Sequence, residues 1–321
     1  MKKIIVSIVI VNYNGKSILK KTLDSFRKIK DIPCEIIVVD NASTDGSADF
    51  IRTSSRDIKL IQNKTNLGYT GINSALPHCR GGFIFFTNND AALERGALKK
   101  LCNVLRKDAT AGIAAPKVIN FFDRHLQSGG TWVSRSLYNG HFKSEEKDAL
   151  KDIPYMGIAL IRKSIVDRFG YLFDQDYFIY AEDVDLGLRL RLMGYKVIHV
   201  PGAVLYHMHS ATTKKGRHYK STFLLERNSL MTFFKIMPVG RIFLFLPYVL
   251  LMRIVALLKD VVMLHFPDAF ARLGAMAWIL LHAGAIAEKR KLLRPYRKCS
   301  MEFLSRAFSE KYVFSTKKIN V

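Results

Sequence analysis

Apolar runs and helical patterns alternate along residues 1–120. Short runs rich in β-branched residues predict buried parallel strands at 4–11, 34–39, 58–61 and 83–87. Apolar residues at helical spacing predict helices between them, around 46–52, 70–78 and 95–107. Repeated strand–helix units are typical of an α/β fold with a mostly parallel, Rossmann-like sheet flanked by helices. Ligands of such a sheet bind in the crevice at the carboxyl ends of its strands.

Two later segments have different patterns. Residues 121–153 are polar and irregular, which predicts a loop-rich insertion over that crevice. In residues 180–193 apolar side chains recur at every second position, as in a strand, but acidic residues open the segment, arginines close it and Gly194 follows. Because these are signals of helix ends, we predict a helix. The following pattern predicts a strand at 196–200, a turn at Pro201-Gly202 and a helical region after about residue 222.

The net charge of +23 is unevenly distributed along the chain. Residues 1–209 carry a net charge of +9, whereas residues 210–321 carry +14. Such a basic segment indicates an anionic partner, either nucleic acid or a membrane surface. The common nucleic-acid-binding motifs are missing from the sequence, so we predict that the protein binds no nucleic acid.

The cysteines and the N-terminus bear on the compartment. The four cysteines form no C-x-x-C pair, so they predict neither a zinc site nor a disulfide framework, and a reducing compartment follows. Lys2-Lys3 and the apolar run 4–11 mimic a signal peptide, but the run is short and has no small-residue cleavage site. We interpret it as a buried first strand and expect a cytoplasmic protein.

Polar side chains follow the second and fourth predicted strands. Asp40 ends the second strand, where a carboxylate can accept the imide N–H of a uracil or thymine ring, but it could equally be a turn residue. For Asp45 we predict only a turn or cap role. Asn88-Asn89-Asp90 ends the fourth strand. An acid beside amides suits a hard cation, although Asn and Asp also favour a simple turn.

Three further segments carry candidate chemistry. Residues 66–73, which include Asn66, Gly68 and Asn73, have the composition of a phosphate-cradling entry into a helix. Glu182 and Asp183 follow an aromatic stretch, so they either complement a helix dipole or include a general base of raised pKa. His207 and His209 share one face of an extended segment, where an imidazole could bind a metal or simply lie at the surface.

The order of these motifs along the chain resembles family 2 glycosyltransferases. The motifs are Val-Asn-Tyr-Asn (11–14), Val-Asp-Asn-Ala-Ser-Thr-Asp-Gly-Ser (39–47), Asn-x-Gly (66–68), Asn-Asn-Asp (88–90), Tyr-x-Glu-Asp-Val-Asp (180–185) and His207. The chain looks most similar to the rhamnosyltransferase-like branch, in which Glu-Arg-Asn, here 226–228, follows the histidine. The resemblance extends over about residues 4–235 and implies a GT-A fold that binds a nucleotide-sugar.

The resemblance also implies roles for individual residues. Those assigned to the nucleotide-sugar are Asn12, Tyr13, Asp40, Asn66, Gly68, Asn73 and Asn89. Asp90 matches the last acid of the family's Asp-x-Asp metal motif, and His207 matches the histidine that helps to hold the metal and the diphosphate. Asp183 matches the catalytic base, with Glu182 beside it shaping the acceptor site. Asn88 departs from the family pattern, because many relatives have an acid there.

The implied reaction is a single displacement with inversion, assisted by Mg²⁺ or Mn²⁺. The donor would be a dTDP- or UDP-sugar, with rhamnose first and galactofuranose or N-acetylglucosamine as alternatives. The acceptor would be a saccharide or a lipid-linked saccharide in bacterial cell-surface polysaccharide synthesis. A further alternative is an inactive relative that binds a nucleotide-sugar. The joint presence of Asp90, Asp183 and His207 argues against it.

The composition and the resemblance together divide the chain into a catalytic domain, 1–221, and a basic helical region, 222–321. Its apolar stretches 242–252 and 273–287 are 11 and 15 residues long, shorter than the roughly 20 that span a bilayer. Six cations follow within 289–298. We therefore predict that this region binds the anionic inner face of the cell membrane without crossing it. The alternative is a helical subdomain that packs on the sheet or on a second subunit.

Overall fold

The computed structural model describes residues 4–54, 57–143, 149–208 and 219–308, so His209 lies outside the described residues. The strands are β1 (Val6–Asn12), β2 (Cys34–Asp40), β3 (Ile58–Gln62), β4 (Phe83–Asn88), β5 (Ala91–Leu93), β6 (Ala111–Asn120), β7 (Leu126–Ser128), β8 (Thr131–Val133), β9 (Asn139–His141), β10 (Lys151–Ile153), β11 (Ala159–Arg162) and β12 (Lys196–His207). The α-helices are α1 (Lys16–Arg27), α2 (Ser47–Ser54), α3 (Ala97–Lys107), α4 (Lys163–Phe169), α5 (Glu182–Leu192), α6 (Tyr219–Ile236), α7 (Val239–Val262), α8 (Phe266–Leu281), α9 (Ala283–Leu292) and α10 (Met301–Ser305).

The main sheet has the order β10-β12-β6-β11-β4-β1-β2-β3, with β5 on β12 and β7 on β6. Strands β3, β2, β1 and β4 are mutually parallel, and β6 is parallel to β12. Strand β11 runs antiparallel between β4 and β6. The mostly parallel α/β sheet predicted from the apolar runs is therefore confirmed, as is the helical C-terminal region. The four parallel strands end at one edge, where Asn12 pairs in register with Asp40.

Three local predictions are corrected by the structure. The helix expected around 70–78 is a 3₁₀ helix over Gly68–His78, because its glycines and Pro77 disfavour an α-helix. The insertion 121–153 is not merely loop, since it contains the short strands β7 to β10. Pro201-Gly202 is not a turn: β12 continues through it with a shift of register against β6 between Val200 and Val204. A bulge accommodates a proline without ending the strand.

Helix α5 is confirmed, and its burial explains the misleading period of two in its sequence. Arg189 and Arg191 are as buried as Leu188, Leu190 and Leu192, with which they alternate. Arg189 Nε donates to Asp185 Oδ2 at 2.7 Å, and Arg191 forms a two-pronged pair with Asp152 of β10. Because the helix is covered on nearly all sides, its apolar residues need not lie on one face.

The core of the C-terminal helices is shared with α5. One cluster of buried apolar residues contains Val184 from α5, Met231 from α6, Val249 from α7 and Ile279 from α8. Helices α6, α7 and α8 thus share a core with α5. The predicted division at 221/222 stays a prediction.

The length of α7 corrects the expectation that no segment could span a membrane. In the described part of the chain, α7 alone, at 24 residues, is long and apolar enough to cross one; α8 and α9 would qualify together but are bent by 65° at their junction. The apolar stretch 242–252 is followed by the charged residues Arg253 and Asp260. Both are buried against the protein, and the helix continues through them.

The basic cluster at 289–298 is also only partly available to a lipid surface. Lys289 pairs with Asp174 and Asp176, while Arg290 and Arg297 donate to carbonyl oxygens at the end of α6. The three cations that remain exposed are Lys291, Arg294 and Lys298. Half of the cluster therefore holds the helices together.

A buried ion cluster joins α6 to α5. Lys235 of α6 is almost completely buried and places Nζ 2.8 Å from Asp174 Oδ2 and 2.7 Å from Asp185 Oδ1. Burial alone would raise the pKa of Asp174, but the ammonium groups of Lys235 and Lys289 outweigh it and hold that pKa well below its usual range. The pairing satisfies charges that could not otherwise be buried.

Replacing Lys235 by methionine should cost much of the stability of the fold. Lys235→Met removes the cation shared by Asp174 and Asp185, and we expect the free energy of unfolding to fall by about 3–5 kcal/mol in urea denaturation. Lys291→Met is the control, because its exposed pair with Glu288 should change stability by less than about 0.5 kcal/mol. Equal losses in the two variants would contradict the structural role of Lys235.

Candidate active site

Three side chains connect the ends of β1, β2 and β4. Asn12 Nδ2 donates to Asp40 Oδ1 at 2.8 Å, and Asn12 Oδ1 accepts from Asn89 Nδ2 at 2.7 Å. Asn12 and Asp40 are fully buried, and Asn89 nearly so. This chain of hydrogen bonds sets the shape of the crevice at the edge where a parallel sheet binds ligands.

Asp40 is also the cap of the turn that follows β2. Its carboxylate accepts from Ser43 Oγ at 2.6 Å and from the Ser43 amide at 3.0 Å, besides Asn12. A carboxylate offers about four acceptor positions, so one remains for a ligand. The structure thus gives Asp40 the turn role, and a contact with a base stays a prediction. Tyr13, the next residue after Asn12, is 44% exposed.

The residues predicted to cradle phosphate brace the chain. Asn66 Oδ1 accepts from the Gly68 amide at 2.8 Å, and Asn73 binds the Phe173 carbonyl at 2.6 Å and the Leu172 amide at 2.9 Å. Gly68 has φ +63°, and a Cβ there would lie 2.2 Å from the Phe178 carbonyl oxygen. Only glycine allows this approach. Direct contacts of Asn66, Gly68 and Asn73 with a nucleotide stay predictions.

Asp90 and His207 meet beside the strand ends. His207 Nε2 lies 3.1 Å from Asp90 Oδ1, because β12 brings His207 to β5, just after β4. His207 Nδ1 lies 3.2 Å from Gln127 Oε1. That amide oxygen can only accept, so an Nδ1–H would donate to it, and in that tautomer the Nε2 lone pair would face Asp90.

This pair of donor atoms suits a divalent cation. An imidazole nitrogen and a carboxylate oxygen face each other, and Gln127 contacts the other ring nitrogen. No group of three or more His, Cys, Asp or Glu residues converges within the described residues. A cation at Asp90 and His207 would therefore take its other ligands from substrate or water.

Glu182 and Asp183 start α5, directly after Ala181 in a left-handed conformation. Asp183 Oδ1 accepts from the Val184 amide at 2.8 Å, and a Cβ at Gly157 would lie 3.1 Å from Asp183 Oδ2. Burial raises the pKa of Asp183 to about 6. Burial, and then the charge of Asp183, raise the pKa of Glu182 well above its usual value. The two neighbouring acids are thus held at different pKa values, and Asp183, with a pKa of about 6, can accept a proton near neutral pH.

Two residues at this site were missed by the sequence reasoning. Tyr69 donates to the Gly157 carbonyl at 2.6 Å. Burial and then the charges of Glu182, Asp183 and Asp90 raise the pKa of Tyr69 well above its usual value. All three acids therefore act on the Tyr69 hydroxyl. Gln127, which contacts His207, lies in the polar insertion 121–153, and no sequence signal distinguished it from its neighbours. For Tyr69, the only signal was its position directly after Asn66-Leu67-Gly68.

Sequence relatives transfer sugars. The N-acetylglucosaminyl-diphospho-decaprenol L-rhamnosyltransferase of Mycobacterium tuberculosis is 24% identical over 263 residues, which cover 70% of this chain and 85% of the relative. The O-antigen chain rhamnosyltransferase WbaN of Salmonella anatum is 22% identical over 221 residues, covering 65% of this chain and 68% of the relative.

Solved glycosyltransferases share the fold. GalNAc-T7, solved with UDP, GalNAc and Mn²⁺, superposes with a TM-score of 0.60 at 16% identity over 72% of this chain, which spans 48% of that protein. The mannosyltransferase PcManGT of Pyrobaculum calidifontis, solved with GDP-Man and Mn²⁺, gives 0.52 at 22% identity over 94% of this chain and 85% of that one. The expected GT-A architecture is confirmed.

The family follows from the sequence itself. The family model described as Glycosyl transferase family 2 matches residues 7–170, half of the chain. That range contains the strand-end network and Asp90, and the rhamnosyltransferases are among its sequence relatives. The resemblance stated from the motifs is confirmed: this chain belongs to glycosyl transferase family 2.

Proposed function

We propose that this glycosyltransferase moves a sugar, rhamnose in the first instance, from a dTDP- or UDP-sugar to a saccharide or lipid-linked saccharide acceptor with inversion at the anomeric carbon. Its place would be bacterial cell-surface polysaccharide synthesis. The observation that carries the proposal is an ionised base, Asp183, in the same crevice as the Asp90–His207 pair. The rhamnosyltransferases among the relatives support the choice of sugar.

In the proposed reaction, Asp183 accepts the proton of the acceptor hydroxyl as that oxygen attacks the anomeric carbon. The attack comes from the face opposite the leaving nucleoside diphosphate, so the configuration inverts. Burial raises the pKa of Glu182, which favours its protonated form; in that form it would donate a hydrogen bond to the acceptor. No covalent sugar–enzyme intermediate is needed.

Asp90 and His207 would hold Mg²⁺ or Mn²⁺, and Gln127 would keep the imidazole in the binding tautomer. The ion, when bound, would neutralise charge on the leaving diphosphate. Two structural neighbours were solved with Mn²⁺. Asn88 supplies an amide where many relatives have an acid, so the protein itself would bring one carboxylate to the ion.

One screen separates the proposal from its alternatives. These are transfer of another sugar, galactofuranose or N-acetylglucosamine, and an inactive relative. Purified protein is incubated with a panel of nucleotide-sugars, Mg²⁺ or Mn²⁺ and a lipid-linked saccharide. Turnover with dTDP-rhamnose supports the proposal, turnover with another donor corrects the sugar, and binding without turnover indicates the inactive relative.

Asp183→Asn should abolish turnover while donor binding is kept. Loss of a positioned base costs on the order of 10²–10⁴ in rate. In the unchanged protein, turnover should fall as the pH drops below about 6, because protonated Asp183 cannot accept a proton. Asp49→Asn, at an exposed surface acid, is the control. Near-normal turnover of Asp183→Asn would restrict Asp183 to the role of a helix-end acid.

Asp90→Ala should weaken the binding of divalent cation and of nucleoside diphosphate together, by about 10–100-fold. The two share ligands in the proposed site, so neither binds well without the other. Calorimetry with Mn²⁺ and with EDTA measures this coupling, and His207→Ala should show it more mildly. Asp167→Ala, which breaks an exposed pair on α4, serves as the control. Unchanged nucleotide affinity in EDTA would remove the metal from the scheme.

The acceptor side of the proposal includes a membrane. Helices α7 and α8 expose many large apolar side chains, which we name the apolar face: Phe243, Leu244, Leu250, Leu251, Ile254, Val255, Leu258, Val261, Val262, Phe270, Leu273, Leu280 and Leu281. Soluble monomers rarely expose apolar surface on this scale. The exposed cations Lys259, Lys291, Arg294 and Lys298 belong to the same helical region, where they would meet anionic headgroups.

The buried contacts of α7 argue for a helix lying in the interface rather than crossing it. Arg253 donates to the Ser136 carbonyl and lies 3.4 Å from Glu226 of α6, while Asp260 pairs with Arg272 of α8 at 2.6 Å. To cross a bilayer, α7 would have to leave these partners and take both charges into hydrocarbon, which is costly. The proposed location is the inner face of the cell membrane.

Binding to vesicles should depend on the apolar face. We expect cosedimentation with anionic vesicles, weaker at high salt, and a loss of about tenfold or more in Phe243→Glu/Leu281→Glu. Leu150→Glu, an exposed apolar residue outside the helices, is the matched control. A protein that stays in the supernatant and sediments as a dimer would assign the apolar face to a second subunit.

A further inference from the structure

The segment that leads into Glu182 and Asp183 has an unusual backbone. Phe178 has φ +62° and ψ −65°, and the Ile179 amide donates to the Tyr177 carbonyl at 2.7 Å, which is the rare, strained form of γ-turn. Tyr180 and Ala181 follow with φ +74° and +59°. None of the three is a glycine. Such a segment keeps its shape only where its surroundings impose it.

Asn228 of α6 makes several of the contacts that hold this segment in shape. Its side chain is fully buried, and Nδ2 lies 3.0 Å from the Tyr177 carbonyl, 3.0 Å from that of Ile179 and 2.7 Å from that of Tyr180. Its own oxygen accepts from Arg227 Nε at 2.9 Å, which sets the orientation of the amide. An aspartate of the same shape would turn an oxygen, not a donor, toward these three carbonyls.

The opposite side of the segment is held by the loop after β3. The Tyr69 amide donates to the Phe178 carbonyl at 2.8 Å, and Gly68 allows that approach because it has no Cβ. The segment therefore lies between α6 and the Gly68–Tyr69 backbone. Asp183 follows Ala181 by two residues, so its position depends on both contacts.

We propose that Asn228 is a positioning residue, which holds segment 177–181 in the conformation that aims Glu182 and Asp183 at the acceptor. The role rests on the function proposed above. It explains the Glu-Arg-Asn motif on one helix: Asn228 holds the catalytic segment, while Glu226 pairs with Arg253 of α7 and Arg272 of α8. The helices of the apolar face are thereby linked to the base through α6.

Asn228→Ala should lower kcat about 10–100-fold and leave the donor KM within about twofold, because the donor site lies at the strand ends. Asn228→Asp should be at least as impaired. Adding Ala181→Gly to Asn228→Ala should restore part of kcat, since glycine adopts the left-handed conformation without support. The control is Ile236→Ala, a fully buried residue two turns further along α6, assayed well below the melting temperature of each variant.

The outcomes separate positioning from stability. If Ile236→Ala with a similar drop in Tm loses as much kcat, or if Asn228→Ala keeps its kcat, the proposal is overturned. Hydrogen exchange tests the same role without any substrate: amides of 177–185 should exchange faster in Asn228→Ala but not in Ile236→Ala. Faster exchange in Asn228→Ala, in a protein that transfers no sugar from any donor, would support the positioning role of Asn228 and refute the proposed function instead.

Discussion

Helix α5 has almost no exposed surface, so a charge along it is best stabilised by a partner inside the protein. Asp185 meets Arg189 and Lys235, and Arg191 meets Asp152. Among the described residues, no cation pairs with Glu182 or Asp183 at the start of the helix. Burial therefore outweighs the backbone hydrogen bonds that these two acids accept and raises the pKa of both.

Helix α6 supplies one of these partners and further contacts near α5, which changes how the C-terminal region is understood. Lys235 neutralises α5, Asn228 binds the segment before it and Glu226 binds the arginines of α7 and α8. The helices after residue 221 are thus not an appended anchor. They complete the half of the crevice that would receive the acceptor, and they carry the apolar face on the same set of helices.

The two halves of the crevice have different origins in the chain. The half proposed to bind the donor is built by the parallel strands, within residues 7–170 that match the family, and its amides brace one another at the strand ends. The segment that leads into Glu182 and Asp183 lies beyond that range and contacts α6 and the Gly68–Tyr69 backbone. His207 joins the halves, because β12 returns it beside Asp90.

The sequence by itself determined the strands β1 to β4, both ends of α5, the family, and the placement of Asp40 and Asp90 at strand ends. These follow from local periodicity and from helix-end and turn chemistry, which neighbouring residues decide. Only the tertiary structure decided that Asn66 and Asn73 brace the chain, that Lys289 is an internal ion-pair partner, and that Tyr69 and Gln127 belong to the site. A polar side chain can cap, pair or bind a ligand, and its choice depends on partners far away in sequence: Asn228 finds its carbonyl at Tyr177, 51 residues earlier. Local sequence patterns do not predict such a long-range hydrogen bond, because it forms only once the helices have packed.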